Sequence, residues 1–354
     1  MTLQTVADRV GVSRMTVSNA FSRPDQLSEE LRKKILAAAD ELGYAGPDPS
    51  GRALAKGRTG AVGVILTDSL EYAFTDQLAT DLMAAISTEL APTGLALTLL
   101  TATSGETWIP ARDVPLDGAL VFSCSNLSQS VDWLRRRRLP MVFVDQEPVD
   151  DVTCINIDEF GGARAAAQHM IDLGHDRIAI VASTGPNLRS PTEPDPESKY
   201  TNRERMKGWI AALEAAGITP VIVPVEHSIQ SAAAATVELL SGPAVTRPTA
   251  ILCYSDTLAV GVMQTARRLG ISIPHELSIV GFDDARFAKE LDPPLTTVHQ
   301  DVVAKGTEAT AALTDAIAAK AAGETVTPRQ IVLPTYLVVR ESTAPAPVAA
   351  TART

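Results

Sequence analysis

The chain has 354 residues, 45% of them hydrophobic, and a formal net charge of −11. That length and apolar content supply one or two sizeable cores and exclude an intrinsically disordered chain. The charge is uneven: residues 1–60 carry nine Lys or Arg against seven Asp or Glu, about +2, and the remainder 22 against 35, about −13, so contact with a polyanion is expected only at the N-terminal segment.

The N-terminus carries no basic-then-apolar leader, and no window approaches the roughly 18 uninterrupted apolar residues of a membrane span, so a cytoplasmic location without membrane contact is expected. Cys124, Cys154 and Cys253 lie far apart in or beside apolar runs, without CxxC spacing. Buried, inert thiols are expected, and no metal or cofactor.

In VADRVGVSRMTVSNAF, residues 6–21, the apolar positions Val6, Ala7 and Val10 recur at helical spacing, Gly11 breaks the run, and Ser13 is suited to cap a second helix. This is a helix-turn-helix pattern. Ser28 can cap a third helix that starts with Glu29-Glu30 at its positive dipole end and runs to Gly43. Asp48 and Pro49 then suit the start of a very short helix around Ser50 to Ala55. Gly51 weakens it by about 1 kcal/mol relative to alanine, so this helix is expected to form only on docking.

From Ala61 the texture becomes strand runs alternating with amphipathic helices, the pattern of parallel sheets covered on both faces. AVGVILT, LALTLL, GALVF and PMVFVD form one series; RIAIVA, PVIVPV, AILCY and LSIVGFD form a second. Helical periods fall near Asp76 to Leu90, Ser128 to Arg138 and Glu204 to Ala216. Two α/β lobes are implied. The aperiodic stretch 184–200 reads as a long loop, and the tail 341–354, poor in large apolar residues, is expected to be disordered.

Seven motifs in order resemble the LacI/GalR family of bacterial transcription regulators: TVADRVGVSRMTVSNAF, ELGYAGPDPSGRALAKGRTGAVGVI, DLGHDRIAIV, RERMKGWIAAL, SDTLAVGVMQTARRLG, IPHELSIVGFDDA and PPLTTVHQD. The resemblance implies an all-α helix-turn-helix head at 1–46, a hinge helix and linker at 47–60, and a two-lobed, periplasmic-binding-protein-like α/β core of parallel sheets at 61–340. Lobe 1 is expected to comprise about 61–157 and 292–320, and lobe 2 about 158–291 and 321–340. It further implies a repressor of a sugar or nucleoside operon. Such a protein binds a pseudo-palindromic double-stranded DNA operator as a homodimer, under control of a sugar, sugar phosphate or nucleoside effector. Tetramers of the family use a C-terminal leucine heptad helix, which this tail lacks. The rival reading is an enzyme acting on a sugar in the interlobe cleft. Against it, no GxxxxGK[ST], GxSxG or HExxH pattern occurs, and His169, His175, His227, His275 and His299 show no paired spacing.

The N-terminal part of a second helix of this kind faces base edges in the major groove. By match to the family, Arg14 and Met15 are the first readers and Asn19 the third. Arginine suits guanine, asparagine suits adenine, and Met15 suits a thymine methyl; alternatively Met15 packs and Arg14 binds phosphate. Many family members carry arginine at Asn19. Ser13, Thr16, Ser18 and Asn19 are also short polar groups able to hold phosphates, whereas Ala7, Val12 and Val17 should be core. In the hinge, Leu54 matches the family's minor-groove wedge and is flanked by Arg52, Lys56 and Arg58. Gly51 replaces the alanine common there.

Effectors of the family lie between the lobes, at the C-terminal ends of the strands. Here those ends carry Asp68 and Ser69, Asp145, Ser255 and Asp256, and Asp283. Arg205 matches the family arginine that reaches a ligand hydroxyl or carboxylate, Asp283 its acidic partner, and Phe74 the stacking face. Asp256 is equally placed to cap the following helix, and Asp284 the next. The run RRRR at 135–138 reads as a solvated helix end.

Overall fold

The computed structural model describes residues 1–48, 51, 53, 57–66, 70–102, 108–123, 128–183 and 199–347, the side chain of Tyr72 aside. It divides into two compact units, Met1–Gly60 with Pro115–Asp117, and the remainder.

In the first unit, α1 (Leu3–Val10) is capped by Thr2 and closed by Gly11 at φ 79°. Ser13 caps α2 (Arg14–Ser22), and Ser28 caps α3 (Glu29–Glu41). Each cap hydroxyl accepts a backbone N–H left without a partner in the first helical turn. Val6, Ala7, Val17, Ala20, Ile35 and Ala39 form the core, with Val12 packed at its edge. Asp48 Oδ1 accepts from the Gly51 N–H at 3.4 Å, as expected of a cap. Asp117, part of this unit, accepts from Thr59 N–H at 2.7 Å and Gly60 N–H at 2.8 Å.

The second unit holds two six-stranded sheets. In chain order its elements are β1 (Ala61–Leu66), α4 (Gln77–Leu90), β2 (Ala96–Thr101), β3 (Gly118–Phe122), α5 (Gln129–Arg136), β4 (Met141–Val144), β5 (Thr153–Ile157) and α6 (Glu159–Asp172). Then come β6 (Ile178–Ser183), α7 (Tyr200–Ala215), β7 (Val221–Val225), α8 (Ile229–Leu240), β8 (Ala250–Cys253), α9 (Asp256–Arg268) and β9 (Ser278–Asp283). The last are β10 (Thr296–Gln300), α10 (Val302–Ala322), β11 (Gln330–Leu333) and β12 (Thr335–Val338). Lobe 1 is ordered β2-β1-β3-β4-β5-β11 and lobe 2 β7-β6-β8-β9-β10-β12. Every pairing is parallel except that of β12 with β10.

Continuous apolar strands such as GALVF bury both faces under helices. In lobe 1 a core cluster gathers around Val64, Leu120 and Leu313; in lobe 2 clusters lie on each side of the sheet, around Ile279 and Trp209. Gly306 lets α10 close on α4, since a Cβ there would lie 2.6 Å from Ala85 Cβ.

Two expectations are corrected. Residues 296–300 belong to lobe 2, because β10 pairs with β9 (Thr296 opposite Val280), and 330–333 belong to lobe 1, because β11 pairs with β5 (Gln330 opposite Cys154). The chain therefore crosses between lobes after β5, β10 and β11. The tail is not disordered over 341–347. Ser342 is buried, its hydroxyl accepting from Thr296 N–H at 2.8 Å and donating to Ile279 C=O at 2.6 Å. Ala346 N–H reaches Leu173 C=O at 2.8 Å, and His175 bonds Ala344 C=O at 3.1 Å. Small and polar residues suffice here because the strap is held by backbone hydrogen bonds, which need no large side chain. Residues 348–354 and the 184–198 part of the expected loop lie outside the described residues, as does Cys124; Cys154 and Cys253 are buried and free.

Candidate DNA-reading helix and effector cleft

The residues expected to contact DNA lie at the start of α2. Ser13 Oγ accepts from Thr16 N–H at 3.0 Å and lies 2.8 Å from Thr16 Oγ1, so Ser13 and Thr16 fix the helix start. Arg14 is exposed and Met15 is 69% exposed, so Met15 does not pack into the head. Ser18 and Asn19 are half-buried, and the Asn19 amide donates to Gln26 Oε1 at 3.1 Å. A long apolar side chain beside an exposed arginine, on a helix locked by its cap, is an arrangement able to enter a groove. Arg52, Leu54 and Lys56 lie outside the described residues.

At the strand ends of lobe 2, Arg205 of α7 is buried. Its Nε donates to Glu159 Oε2 at 2.5 Å, one terminal nitrogen to Tyr254 C=O at 2.5 Å, and the other to Asp283 Oδ1 at 3.3 Å. The guanidinium lies 3.6 Å above the Phe282 ring and 4.5 Å from that of Tyr254. Burial opposes its charge, but Glu159 and Asp283 hold its pKa above the ordinary arginine value. Burial also pushes Asp283 up to about 7 although Arg205 pulls the other way, and raises Glu159 against the same arginine. Asp283 Oδ1 takes a further bond from the Gln300 amide at 2.6 Å, and no bond to Oδ2 is found among the described residues. Asp283 has φ 111° and Asp145, at the end of β4, φ 55°. Non-glycine residues hold such backbone only where surroundings enforce it, and functional sites are where that recurs.

The remaining predicted residues divide. Asp145 is buried, with both carboxylate oxygens on Lys305 Nζ, at 2.8 and 2.7 Å. Phe74 is 71% exposed, in the single turn Tyr72–Thr75. Ser255 caps α9 and lies 2.7 Å from His227 Nε2. Asp256 neither caps that helix nor presents itself to a ligand. It is buried, accepting from Thr297 Oγ1 at 2.6 Å and Ala285 N–H at 2.7 Å, where it ties β10 to the loop after β9. Asp284 is likewise not a cap, being ion-paired with Arg340 at 2.5 Å. Asp68 and Ser69 lie outside the described residues. In the RRRR run, Arg135 pairs with Asp151 at 3.2 Å and Arg137 donates to Ala111 C=O at 2.6 Å, leaving Arg136 and Arg138 exposed.

Sequence reasoning missed Glu159, His227, Gln300 and Lys305. Glu159 follows the end of β5 as Asp145 follows β4, and the same strand-end rule would have found it. His227 stands edge-on to Tyr254 at 5.8 Å, immediately before the Ser228 cap of α8. Among the described residues no group of three His, Cys, Asp or Glu could hold a metal, and no helix is long and apolar enough to cross a membrane.

A small head with an exposed reading helix, joined in one chain to a two-lobed parallel-sheet core with polar strand ends, defines a ligand-responsive DNA-binding regulator. Residues 2–46 match bacterial regulatory proteins, lacI family, and residues 167–343 match a periplasmic binding protein-like domain. An HTH-type transcriptional regulator of Mycolicibacterium smegmatis is 37% identical over 328 residues, covering 87% of this chain and 88% of its own length. Among solved structures, the regulator CelR in complex with cellobiose aligns with a TM-score of 0.68 at 28% identity, over 97% of this chain and 99% of its own. The lac repressor dimer bound to operator and the anti-inducer ONPF aligns at 0.74 and 25% identity, with the same coverage. The chain belongs to the LacI family.

Proposed function

We propose that this protein is a dimeric repressor of an operon for uptake or breakdown of a sugar or nucleoside. It reads a pseudo-palindromic operator in the cytoplasm through Ser13, Arg14, Met15, Thr16, Ser18 and Asn19, with Leu54 as a minor-groove wedge between Arg52 and Lys56. The effector lies in the interlobe cleft against Arg205, Asp283, Asp145, Ser255 and Phe74, with Asp68 at the rim. The observation that carries this reading is the buried Arg205–Asp283 couple at the strand ends, where no described residue bonds Asp283 Oδ2, so that this oxygen can meet a ligand hydroxyl. The dimeric operator complex and the cellobiose complex of the two solved relatives support it in kind.

The test has two arms. DNA flanking the protein's own gene should be bound specifically, with affinity falling steeply as salt rises. In a thermal-shift panel of sugars, sugar phosphates and nucleosides, a ligand present at 100 times its dissociation constant should stabilise by about 2.7 kcal/mol. No specific DNA binding, together with turnover of a sugar, would overturn the reading.

A further inference from the structure

The crossover from lobe 2 to lobe 1 at β10–α10 is bridged by side chains. β10 ends at Gln300, Asp301 caps α10 through Ala304 N–H at 2.8 Å, and Lys305 lies in that helix's first turns. Lys305 is 1% exposed. Its ammonium donates to Asp145 Oδ1 and Oδ2 and, at 2.6 Å, to Gln300 Oε1, so all three protons are engaged. The other end of the Gln300 amide donates to Asp283 Oδ1, which also receives Arg205. An unbroken path thus runs from Asp145 and Lys305 in lobe 1 to Gln300, Asp283 and Arg205 in lobe 2.

Two features mark this path as more than packing. A buried ion pair of this kind is often matched or exceeded in stability by well-packed apolar side chains, so stability alone does not account for a lysine here. And the Gln300 amide has a polarity: its oxygen meets the cation of one lobe and its NH₂ the carboxylate of the other. Rotating the amide would set donor against donor and acceptor against acceptor, so the bridge fits one relative position of the lobes.

We propose that Lys305 and Gln300 are positioning residues of the effector cleft. They brace the lobes in one relative position and hold Asp145 and Asp283 at a fixed separation, so an effector whose hydroxyls reach both carboxylates acts by tightening or replacing the brace. The last clause rests on the effector reading above; the brace itself does not.

The test measures distance between nitroxide labels at the exposed positions Asp132 in lobe 1 and Glu238 in lobe 2, in full-length protein with Cys124 replaced and labelled chains diluted with unlabelled ones. Ligand-free wild type should give a single narrow distribution. Gln300→Leu, and the charge-neutral pair Asp145→Asn with Lys305→Met, should each add a longer-distance population that wild type lacks. Lys305→Met alone is avoided because it strands a buried carboxylate. A merely structural role would lower the melting temperature and leave the distance unchanged, and that result, or a broad wild-type distribution, overturns the proposal. Added distance populations in the variants, with no sugar of the thermal-shift panel stabilising the wild type, would uphold the brace and count against the effector reading.

Discussion

Arg205→Ala tests how the cleft is held together. By sequence resemblance alone, the loss of this arginine should act on effector binding and leave the DNA-binding head untouched. The structure changes that expectation, because Arg205 is also the only cation within hydrogen-bond reach of Glu159 among the described residues, and both side chains are almost fully buried. Truncation leaves the Glu159 carboxylate without its partner, and breaking a buried pair from one side costs about 3–5 kcal/mol. It also removes the donor to Tyr254 C=O and the packing of the guanidinium on Phe282. At about 2–4 °C per kcal/mol for a domain of this size, the melting temperature should fall by roughly 6–20 °C. Replacing both partners, Arg205→Met with Glu159→Leu, removes the stranded charge and should recover most of the loss. Urea denaturation followed by circular dichroism gives both values. A single variant that loses less than about 1 kcal/mol, or a double variant no more stable than the single, would refute the reasoning.

Ser342→Val strands the Thr296 N–H and Ile279 C=O that the hydroxyl satisfies, and should destabilise by about 1–3 kcal/mol in the same denaturation assay; no change would mean that the strap over 341–347 is not held as described. Because burial raises Asp283 to about 7, the folded state holds a proton there that the unfolded chain releases near pH 4. The stability from this group is therefore fully present below about pH 4 and lost as pH rises toward 7, so wild type should lose melting temperature relative to Asp283→Asn across that interval. Parallel profiles would place the Asp283 pKa near its ordinary value. Leu54→Ala should lower operator affinity in an anisotropy titration while calorimetry of the DNA-free protein shows unchanged effector affinity; loss of both would remove Leu54 from the DNA interface.

Much of the architecture was legible because it rests on local chemistry. The caps at Ser13 and Ser28, the break at Gly11 and the alternation of apolar strands with amphipathic helices are signals carried within a few residues. The lobe boundaries were not, since whether Thr296–Gln300 joins one sheet or the other is decided by pairing with a strand elsewhere in the chain. The strap was misread because composition reports side-chain burial and says nothing of backbone hydrogen bonds to Ile279 and Leu173. In the cleft, strand ends pointed to Asp145 and Asp283, but not to what each would bond. Lys305 sits in a helical stretch where a lysine reads as solvent-facing, and only the three-dimensional meeting of β4, β10 and α10 shows it buried on Asp145. Asp256 erred the other way: a residue in the first turn of a helix looks like a cap or a ligand group until Thr297 is found on it.

Coupling between the effector cleft and the operator-reading head within one chain is the step on which the proposed function turns. It is tested most directly by fluorescence anisotropy of a labelled operator fragment from beside the protein's own gene, titrated with protein in the presence and absence of the sugar that most raises its melting temperature. Specific binding is expected, with an affinity that changes at least fivefold with that sugar, a coupling of about 1 kcal/mol, and with a response that disappears in Asp283→Asn while basal operator affinity persists. Operator affinity indifferent to a sugar that demonstrably binds the cleft would contradict it.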